Sequence, residues 1–174
     1  IDLRAGEQKQ TEFLEMNPLG LVPVLVDGED IICDSNGILI YLAKRYDDSN
    51  QWLPQEPAAA AAVQQWLGIA ADTLVHGPAK ARLAYLFGFD VDGEQATDIA
   101  HDLFAMMNTH LAQRTWLAAE HVTIADVAMY TYTAHAGEGR ISLELYPHIQ
   151  AWLRCMESLK GYCGMPKMPL PETA

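Results

Sequence analysis

The sequence predicts a small α/β region at residues 1–48, a linker at 49–57 and an all-helical region at 58–174. Two observations support this fold class. Near the start of the chain, two short β-branched segments flank a turn that contains Asp27-Gly28, which is typical of a hairpin. Beyond the linker, apolar residues recur only at the spacing of helices. The 174 residues are half hydrophobic, so a packed core is expected.

The first region is predicted to contain five short elements. In chain order these are the tail of a strand at 1–3, a helix at 11–16, a strand at 22–26, a returning strand at 31–33 and a helix that Asp34-Ser35 opens. Thr11 is placed to cap the first helix. Asn17-Pro18 is expected to end it, because the residue before a proline disfavours the helical backbone.

The segment at 49–57 is polar, contains two prolines and has no periodicity, which indicates a linker. After it the sequence predicts five helical stretches and no strand. The first lies at 58–76 and the second follows it to about residue 86. The other three lie at 94–111, 123–135 and 147–159. Gly77-Pro78 is expected to break or kink the first of them. Pro147 suits the first position of the last.

Composition argues against several classes of function. The formal net charge of −12 disfavours nucleic-acid binding, because such proteins concentrate Lys and Arg. The three cysteines form no Cys-x-x-Cys pair and the histidines lack metal-ligand spacing, so neither a disulfide framework nor a metal site is predicted. No apolar run approaches a membrane span, and a reducing, cytoplasmic compartment is the simplest interpretation.

Three motifs follow one another along the chain. They are Asn-Pro-Leu-Gly-Leu-Val-Pro-Val-Leu at 17–25, Asp-Ser-Asn-Gly-Ile at 34–38 and Thr-Ile-Ala-Asp-Val at 123–127. Their order and spacing resemble the cytosolic, bacterial-type glutathione transferase family. The resemblance implies a thioredoxin-like α/β domain at 1–48, incomplete because its first strand and helix are lacking. An all-helical domain would follow it, in a protein that usually assembles as a homodimer.

The bond between Val22 and Pro23 is the first candidate binding element. Cis geometry costs little at an X-Pro bond, and it would turn the N–H and C=O of Val22 from the strand ladder toward a peptide-like ligand. In the family that the chain resembles, this position grips the cysteinyl backbone of glutathione. The alternative is an edge-strand proline that only blocks pairing. The flanking motif favours the binding role.

Asp34 and Ser35 are the second candidate element. A Ser at a helix N-terminus offers a hydroxyl and free N–H groups to a carboxylate, and a neighbouring Asp can pair with an ammonium group. The family uses an acidic residue and Ser in this way for the γ-glutamyl end of glutathione, so the resemblance assigns these roles to Asp34 and Ser35. Simple helix capping is the alternative, and the two roles are compatible.

Gln8 and Lys9 are the third candidate element. In family members with a similar run, this loop meets the glycine carboxylate of glutathione, and Lys9 would do so as a point charge. A solvated lysine is the alternative. Two positions depart from the family pattern. Leu21 replaces a polar side chain, which removes one hydrogen bond worth about 0.5–1.5 kcal/mol, and Gly37 replaces Ala, which weakens the helix slightly.

Thr123 and Asp126 match a capping box, Ser/Thr-x-x-Asp/Glu, at the start of a predicted helix. A structural role is assigned to both. Asp126 is interpreted as a residue that stabilises the helix and not as an acid catalyst.

The residue that activates the thiol follows the first strand in the resembled family. A βαβ unit takes roughly thirty residues, and about that much is expected to lie before Ile1. No residue of this chain is therefore assigned as the catalytic Ser, Tyr or Cys. Lowering a thiol pKa by about two units requires about 2.7 kcal/mol of preferential thiolate stabilisation.

The resemblance implies a glutathione transferase that directs the thiolate of glutathione at a small hydrophobic electrophile, as in detoxification. Glutathione is then a co-substrate, and no metal is required. The alternative is a non-catalytic binding or interaction protein with the same fold. Neither the second substrate nor the activity of the chain follows from the sequence, because substrate pockets of one fold vary widely.

Overall fold

The computed structural model describes residues 1–170 and divides the chain into two compact units, Ile1–Leu53 and Pro54–Ala174. The division falls within the segment that the sequence predicts as a linker, 49–57. None of the helices in the described part of the chain is long and apolar enough to cross a membrane.

The first unit is built around a two-stranded antiparallel hairpin. Its helices and strands are α1 (Thr11–Met16), β1 (Val24–Asp27), β2 (Asp30–Cys33) and α2 (Ser35–Tyr46). Val24 lies opposite Cys33 and Asp27 opposite Asp30, so only two residues form the turn. Gly28 takes a φ of +63° there, a conformation that favours glycine. The predicted hairpin and both helices are confirmed.

Two local predictions for this unit are wrong. Residues 1–3 form no strand, because the carboxylate of Asp2 accepts hydrogen bonds from the N–H groups of Arg4 (2.8 Å) and Ala5 (3.1 Å) and bends the chain into a turn. Thr11 does not cap α1. Gln10 is the extended N-cap residue, and Thr11 is already helical. The pattern of a short polar side chain before an apolar run therefore predicted the helix correctly but placed its cap one residue too late.

Helix α2 is joined to the turn of the hairpin by a tyrosine. The hydroxyl of Tyr41 lies 3.0 Å from Oδ2 of Asp27 and 2.9 Å from Oδ2 of Asp30. These hydrogen bonds, of which the one to Asp30 has the larger effect, raise the pKa of Tyr41 to about 12. The phenol therefore stays neutral and continues to donate, which holds α2 against both ends of the two-residue turn.

We expect the substitution Gly37→Ala to stabilise the first unit. Gly37 lies in the first turn of α2, and an added Cβ would meet only Ile32 Cγ2 at 3.8 Å and Asp34 atoms at 3.9 Å, which is ordinary contact. The free energy of unfolding in urea should rise by about 1 kcal/mol. Gly28→Ala is the control, and it should lower stability because φ is positive there. A loss in Gly37→Ala would contradict the expectation.

In its described residues, 54–170, the second unit contains helices and no strand, as predicted. Its α-helices are α3 (Pro57–Ala71), α4 (Lys80–Phe87), α5 (Gly93–Leu111), α6 (Ile124–Ala134) and α7 (Pro147–Glu157). Large apolar side chains at the centre are fully buried, among them Leu67, Phe104, Met129, Ile149 and Trp152. Each would cost several kcal/mol to truncate, about 2–5 by analogy with other cores.

The predicted break at Gly77-Pro78 is a π-helical turn, Val75–Ala79, that leads directly into α4. A π turn lets the chain continue although Pro78 has no N–H to donate. Gly77 permits the close approach of α5, since a Cβ on residue 77 would lie 2.9 Å from the main-chain nitrogen of Ala100. The glycine therefore sets how closely this turn packs on α5.

Asp126 joins four donors inside the second unit. Its Oδ1 accepts from the N–H of Leu117 (2.9 Å) and from Nε1 of Trp152 (3.0 Å). Its Oδ2 accepts from the N–H (2.9 Å) and hydroxyl (3.2 Å) of Thr123, and a capping box is present at the start of α6. Burial raises the pKa of Asp126, and these hydrogen bonds oppose that rise. The residue joins the connection between α5 and α6 to helices α6 and α7.

Glu138 is a second buried carboxyl group of this unit. It lies in a 3₁₀ turn, Ala136–Gly139, and accepts hydrogen bonds from Arg82 Nε, from His135 Nδ1 at 2.9 Å and from the N–H of Met168 at 2.7 Å. Burial alone would raise the pKa of Glu138, but these three donors outweigh it and lower the pKa to about 2.

We expect Glu138 to make the second unit sensitive to acid. Because the folded-state pKa lies below the ordinary value of 4.5, the stabilisation is complete above about pH 4.5 and is lost as the pH falls toward 2. At most about 3 kcal/mol is involved. Urea unfolding at pH 6 and pH 2.5 should show a larger acid loss for the native chain than for Glu138→Gln. Equal losses would contradict this.

Candidate functional site

The six predicted binding residues lie in three segments of the first unit. Gln8 and Lys9 belong to a 3₁₀ turn, Glu7–Lys9, while the other two pairs flank the open end of the hairpin. Val22-Pro23 precedes β1 and Asp34-Ser35 follows β2. Continuing the register from Val24 opposite Cys33 brings Pro23 opposite Asp34, so these two pairs meet at one end of the ladder.

The peptide bond between Val22 and Pro23 is cis, as expected from the sequence. Strand pairing begins only at Val24, so the N–H and C=O of Val22 lie outside the ladder. Val22 is 43% exposed. Its main-chain groups are therefore available to an extended, peptide-like ligand lying across the open end of the hairpin.

Asn17 holds the loop that leads to Val22. It is almost fully buried, its Nδ2 donates to the C=O of Leu21 at 2.7 Å, and its Oδ1 accepts from the N–H of Leu19 at 3.2 Å. Sequence reasoning treated Asn17 only as the end of α1 and missed this role. The signal was present, because a buried amide needs partners and Asn-Pro-x-Gly supplies them within four residues.

Lys9 is bonded to the same loop. Its Nζ donates to the C=O of Leu19 (3.3 Å) and of Gly20 (3.2 Å). Gly20 has a φ of +60°, and a Cβ there would lie 2.8 Å from the main-chain oxygen of Gln8, so this position favours glycine. The lysine is exposed, and these two bonds hold its ammonium group against the loop that leads to Val22.

Gln8 carries an orphaned acceptor. Its Oε1 is buried, and no group of the described residues donates to it, while its Nε2 reaches only the C=O of Leu3 at 3.5 Å. An unpaired buried acceptor costs about 1–3 kcal/mol. Sequence reasoning gave Gln8 no specific partner, and among the described residues its side-chain carbonyl has none.

Asp34 has an unusual backbone conformation, and only one of its two carboxylate oxygens caps α2. Its φ of +74° is rare for a residue other than glycine, and such conformations concentrate at functional sites. Oδ1 accepts from the N–H groups of Asn36 (2.9 Å) and Gly37 (3.0 Å) and so caps α2. The second oxygen takes no part in the cap. Ser35, the first residue of α2, is exposed.

The arrangement offers complementary groups for a ligand that carries an ammonium group and a carboxylate at the same end. The positive end of the α2 dipole and the Ser35 hydroxyl suit a carboxylate, and the free oxygen of Asp34 suits an ammonium group. Lys9 adds a cation for a second carboxylate. In residues 1–170 no group of three or more His, Cys, Asp or Glu side chains is arranged to hold a metal ion.

Two family models match the chain. The model described as "Glutathione S-transferase, N-terminal domain" matches residues 3–50, and the model described as "Glutathione S-transferase, C-terminal domain" matches residues 92–160. Human glutathione S-transferase theta-2 is 32% identical over 177 residues, which cover 92% of this chain and 70% of the human protein.

Solved structures agree with these matches. A glutathione S-transferase from Pseudomonas fluorescens has a TM-score of 0.84 and 31% identity, over 91% of this chain and 80% of its own. A glutathione transferase homologue from Drosophila mojavensis, solved with bound glutathione, has a TM-score of 0.82 over 93% of this chain and 75% of its own. At 23% identity, the second likeness shows the fold alone.

Proposed function

This chain belongs to the glutathione S-transferase family, and we propose that it binds glutathione and directs its thiolate at a small hydrophobic electrophile. The observation that supports glutathione binding most directly is the open end of the hairpin. There lie the second carboxylate oxygen of Asp34, which takes no part in the helix cap, the exposed Ser35 and the main chain of Val22, which is outside the strand ladder.

In the proposed complex each end of glutathione has a matching charge. Asp34 pairs with the γ-glutamyl ammonium group, and Ser35 with the α2 N-terminus binds the adjacent carboxylate. The main chain of Val22 pairs with the cysteinyl residue beside Pro23. Lys9 binds the glycine carboxylate, with Gln8 beside it. Activation of the thiol is not assigned to any of these residues.

Binding is tested by calorimetric titration of the chain with glutathione. S-Methylglutathione, which keeps both charged ends and has no free thiol, should bind within about threefold of glutathione. The analogue without the α-amino group should bind at least tenfold more weakly, because it leaves Asp34 without a partner. No binding at millimolar glutathione would overturn the proposal.

Turnover is tested separately on the protein as its gene encodes it. Glutathione is supplied with 1-chloro-2,4-dinitrobenzene and, in a second assay, with cumene hydroperoxide, and the loss of thiol is followed. Consumption of either compound above the rate without enzyme supports the transferase. Binding of glutathione without turnover of any electrophile or peroxide would overturn the catalytic proposal and favour a binding or interaction protein.

Membership of the family is also the reason that we propose a cytoplasmic homodimer.

A further inference from the structure

The last described residues, 163–170, form neither helix nor strand, yet two contacts at and before them hold this end of the chain on the helical unit. We call residues 163–170 the strap. Its side chains are exposed, and Pro166 and Pro169 flank the residue that makes the inner contact, Met168. Since proline fixes φ, these two residues reduce the backbone entropy that the strap loses when it is held.

The inner contact joins the strap to a buried charge. The N–H of Met168 donates to Oε1 of Glu138 at 2.7 Å. Glu138 is 6% exposed, and its carboxylate is balanced by Arg82 on α4 and bonded by His135 at the end of α6. Hydrogen bonds to a charged acceptor are about twice as strong as neutral ones, so this single bond is a strong attachment.

The outer contact has a different chemistry. The hydroxyls of Tyr162 and Tyr130 lie 2.6 Å apart, and their rings meet edge to face at 5.6 Å. Tyr130 is buried and also donates to Oε1 of Glu157 at 3.0 Å. This attachment is made of two phenols directly before the strap, and it does not depend on the charge of Glu138.

Near its latch the strap borders a partly open cavity of about 290 Å³. The cavity is lined by Ala134, His135 and Glu138 of the helical unit and by Lys167, Met168 and Leu170 of the strap. Nδ1 of His135 is committed to Glu138, so Nε2 is the ring nitrogen left for an occupant. Detaching Met168 would therefore remove part of the lining and expose the buried imidazole of His135.

We propose that the strap is a lid over this cavity, hinged at Tyr162 and latched by the bond from the Met168 N–H to Glu138. The latch depends on the negative charge of Glu138 for two reasons. A neutral acceptor would make a weaker hydrogen bond to the Met168 N–H, and it would no longer be attracted to Arg82, which orients the side chain. We expect removal of that charge to release the strap while the helices stay folded, since the phenol contact and the apolar core are kept and only the bonds of Arg82 and His135 to the carboxylate are weakened.

The bond between Lys167 and Met168 supplies a direct test, because trypsin cleaves after lysine and the latch uses the N–H of that same bond. Mass spectrometry would follow its cleavage beside that of the bond between Lys160 and Gly161, which lies before the hinge. In Glu138→Gln we expect cleavage after Lys167 to accelerate at least tenfold while cleavage after Lys160 changes less than twofold. Equal acceleration at both bonds, or none at either, would overturn the latch.

Two variants serve as controls. Glu144→Gln removes an exposed carboxylate from the same unit and should leave both cleavage rates unchanged. Tyr162→Phe removes the outer hydroxyl and should leave cleavage after Lys167 within about twofold, since the latch to Glu138 remains. A tenfold acceleration after Lys167 in Tyr162→Phe would contradict the separate roles of hinge and latch.

If Glu138→Gln fails to fold, hydrogen exchange in the native chain decides the question. The amide of Met168 should exchange at least tenfold more slowly than that of Lys167, once both are corrected for intrinsic rates, because only the first is bonded to the carboxylate. Equal corrected rates would overturn the proposal, and slow exchange of Met168 alone would support it.

Discussion

Replacement of Asp126 by alanine should destabilise the helical unit by about 3–5 kcal/mol. The side chain is fully buried, and it satisfies the N–H groups of Leu117 and Thr123 together with the indole of Trp152. An alanine would leave three buried donors without an acceptor, at about 1–3 kcal/mol for each. A typical domain is only 5–15 kcal/mol stable, so this one change removes a large part of the total.

Asp126→Asn tests whether both oxygens of the carboxylate are needed as acceptors. The amide keeps one acceptor oxygen, but its NH₂ group would face donors, either at Thr123 or at Leu117 and Trp152. We therefore expect at least half of the alanine loss. Urea unfolding followed by tryptophan fluorescence measures both variants, and Asp90→Ala, a change at an exposed loop aspartate, is the control. Losses below about 1 kcal/mol for both Asp126 variants would refute the role assigned to the carboxylate.

Local signals in the sequence were sufficient for much of the fold. The two-residue turn at Gly28, the cap at Asp34 and the capping box at Thr123 each depend on residues within four positions of one another, so their geometry follows from backbone chemistry. The same local reasoning failed at residues 1–3, where apolar ends suggested a strand but the Asp2 side chain closes a turn. There a side chain competes with the backbone for its own N–H groups.

Contacts between distant residues could not be predicted. Asp126 meets Trp152 across 26 positions, and Glu138 meets Arg82 across 56. Neither pair has a sequence pattern, because the partner is chosen by how the helices pack and not by helical spacing. In the candidate site, Asn17 belonged to a recognised motif, but its buried amide bonds became visible only in the structure. A motif identifies the residues at a site more readily than it identifies which of them hold the others in place.

The largest effect on ligand binding is expected at Asp34, where two variants separate its two functions. Asp34→Asn keeps an oxygen that can accept from the N–H groups of Asn36 and Gly37, so α2 stays capped. It loses the charge that we propose pairs with the ammonium group of glutathione. We expect the Kd for glutathione to rise about tenfold or more, as for loss of a charged hydrogen bond, with the free energy of unfolding changed by less than about 0.5 kcal/mol.

Asp34→Ala removes the cap as well as the charge. Loss of an N-cap side chain costs about 1 kcal/mol, and alanine tolerates the φ of +74° less well than aspartate does. This variant should therefore lose both binding and stability, whereas Asp48→Asn, at an exposed aspartate beyond α2, should lose neither. Calorimetry with glutathione and urea unfolding give the two readouts. Unchanged binding in Asp34→Asn together with weakened binding in Asp34→Ala would mean that Asp34 acts only by capping α2, and that the ammonium group of glutathione is bound elsewhere.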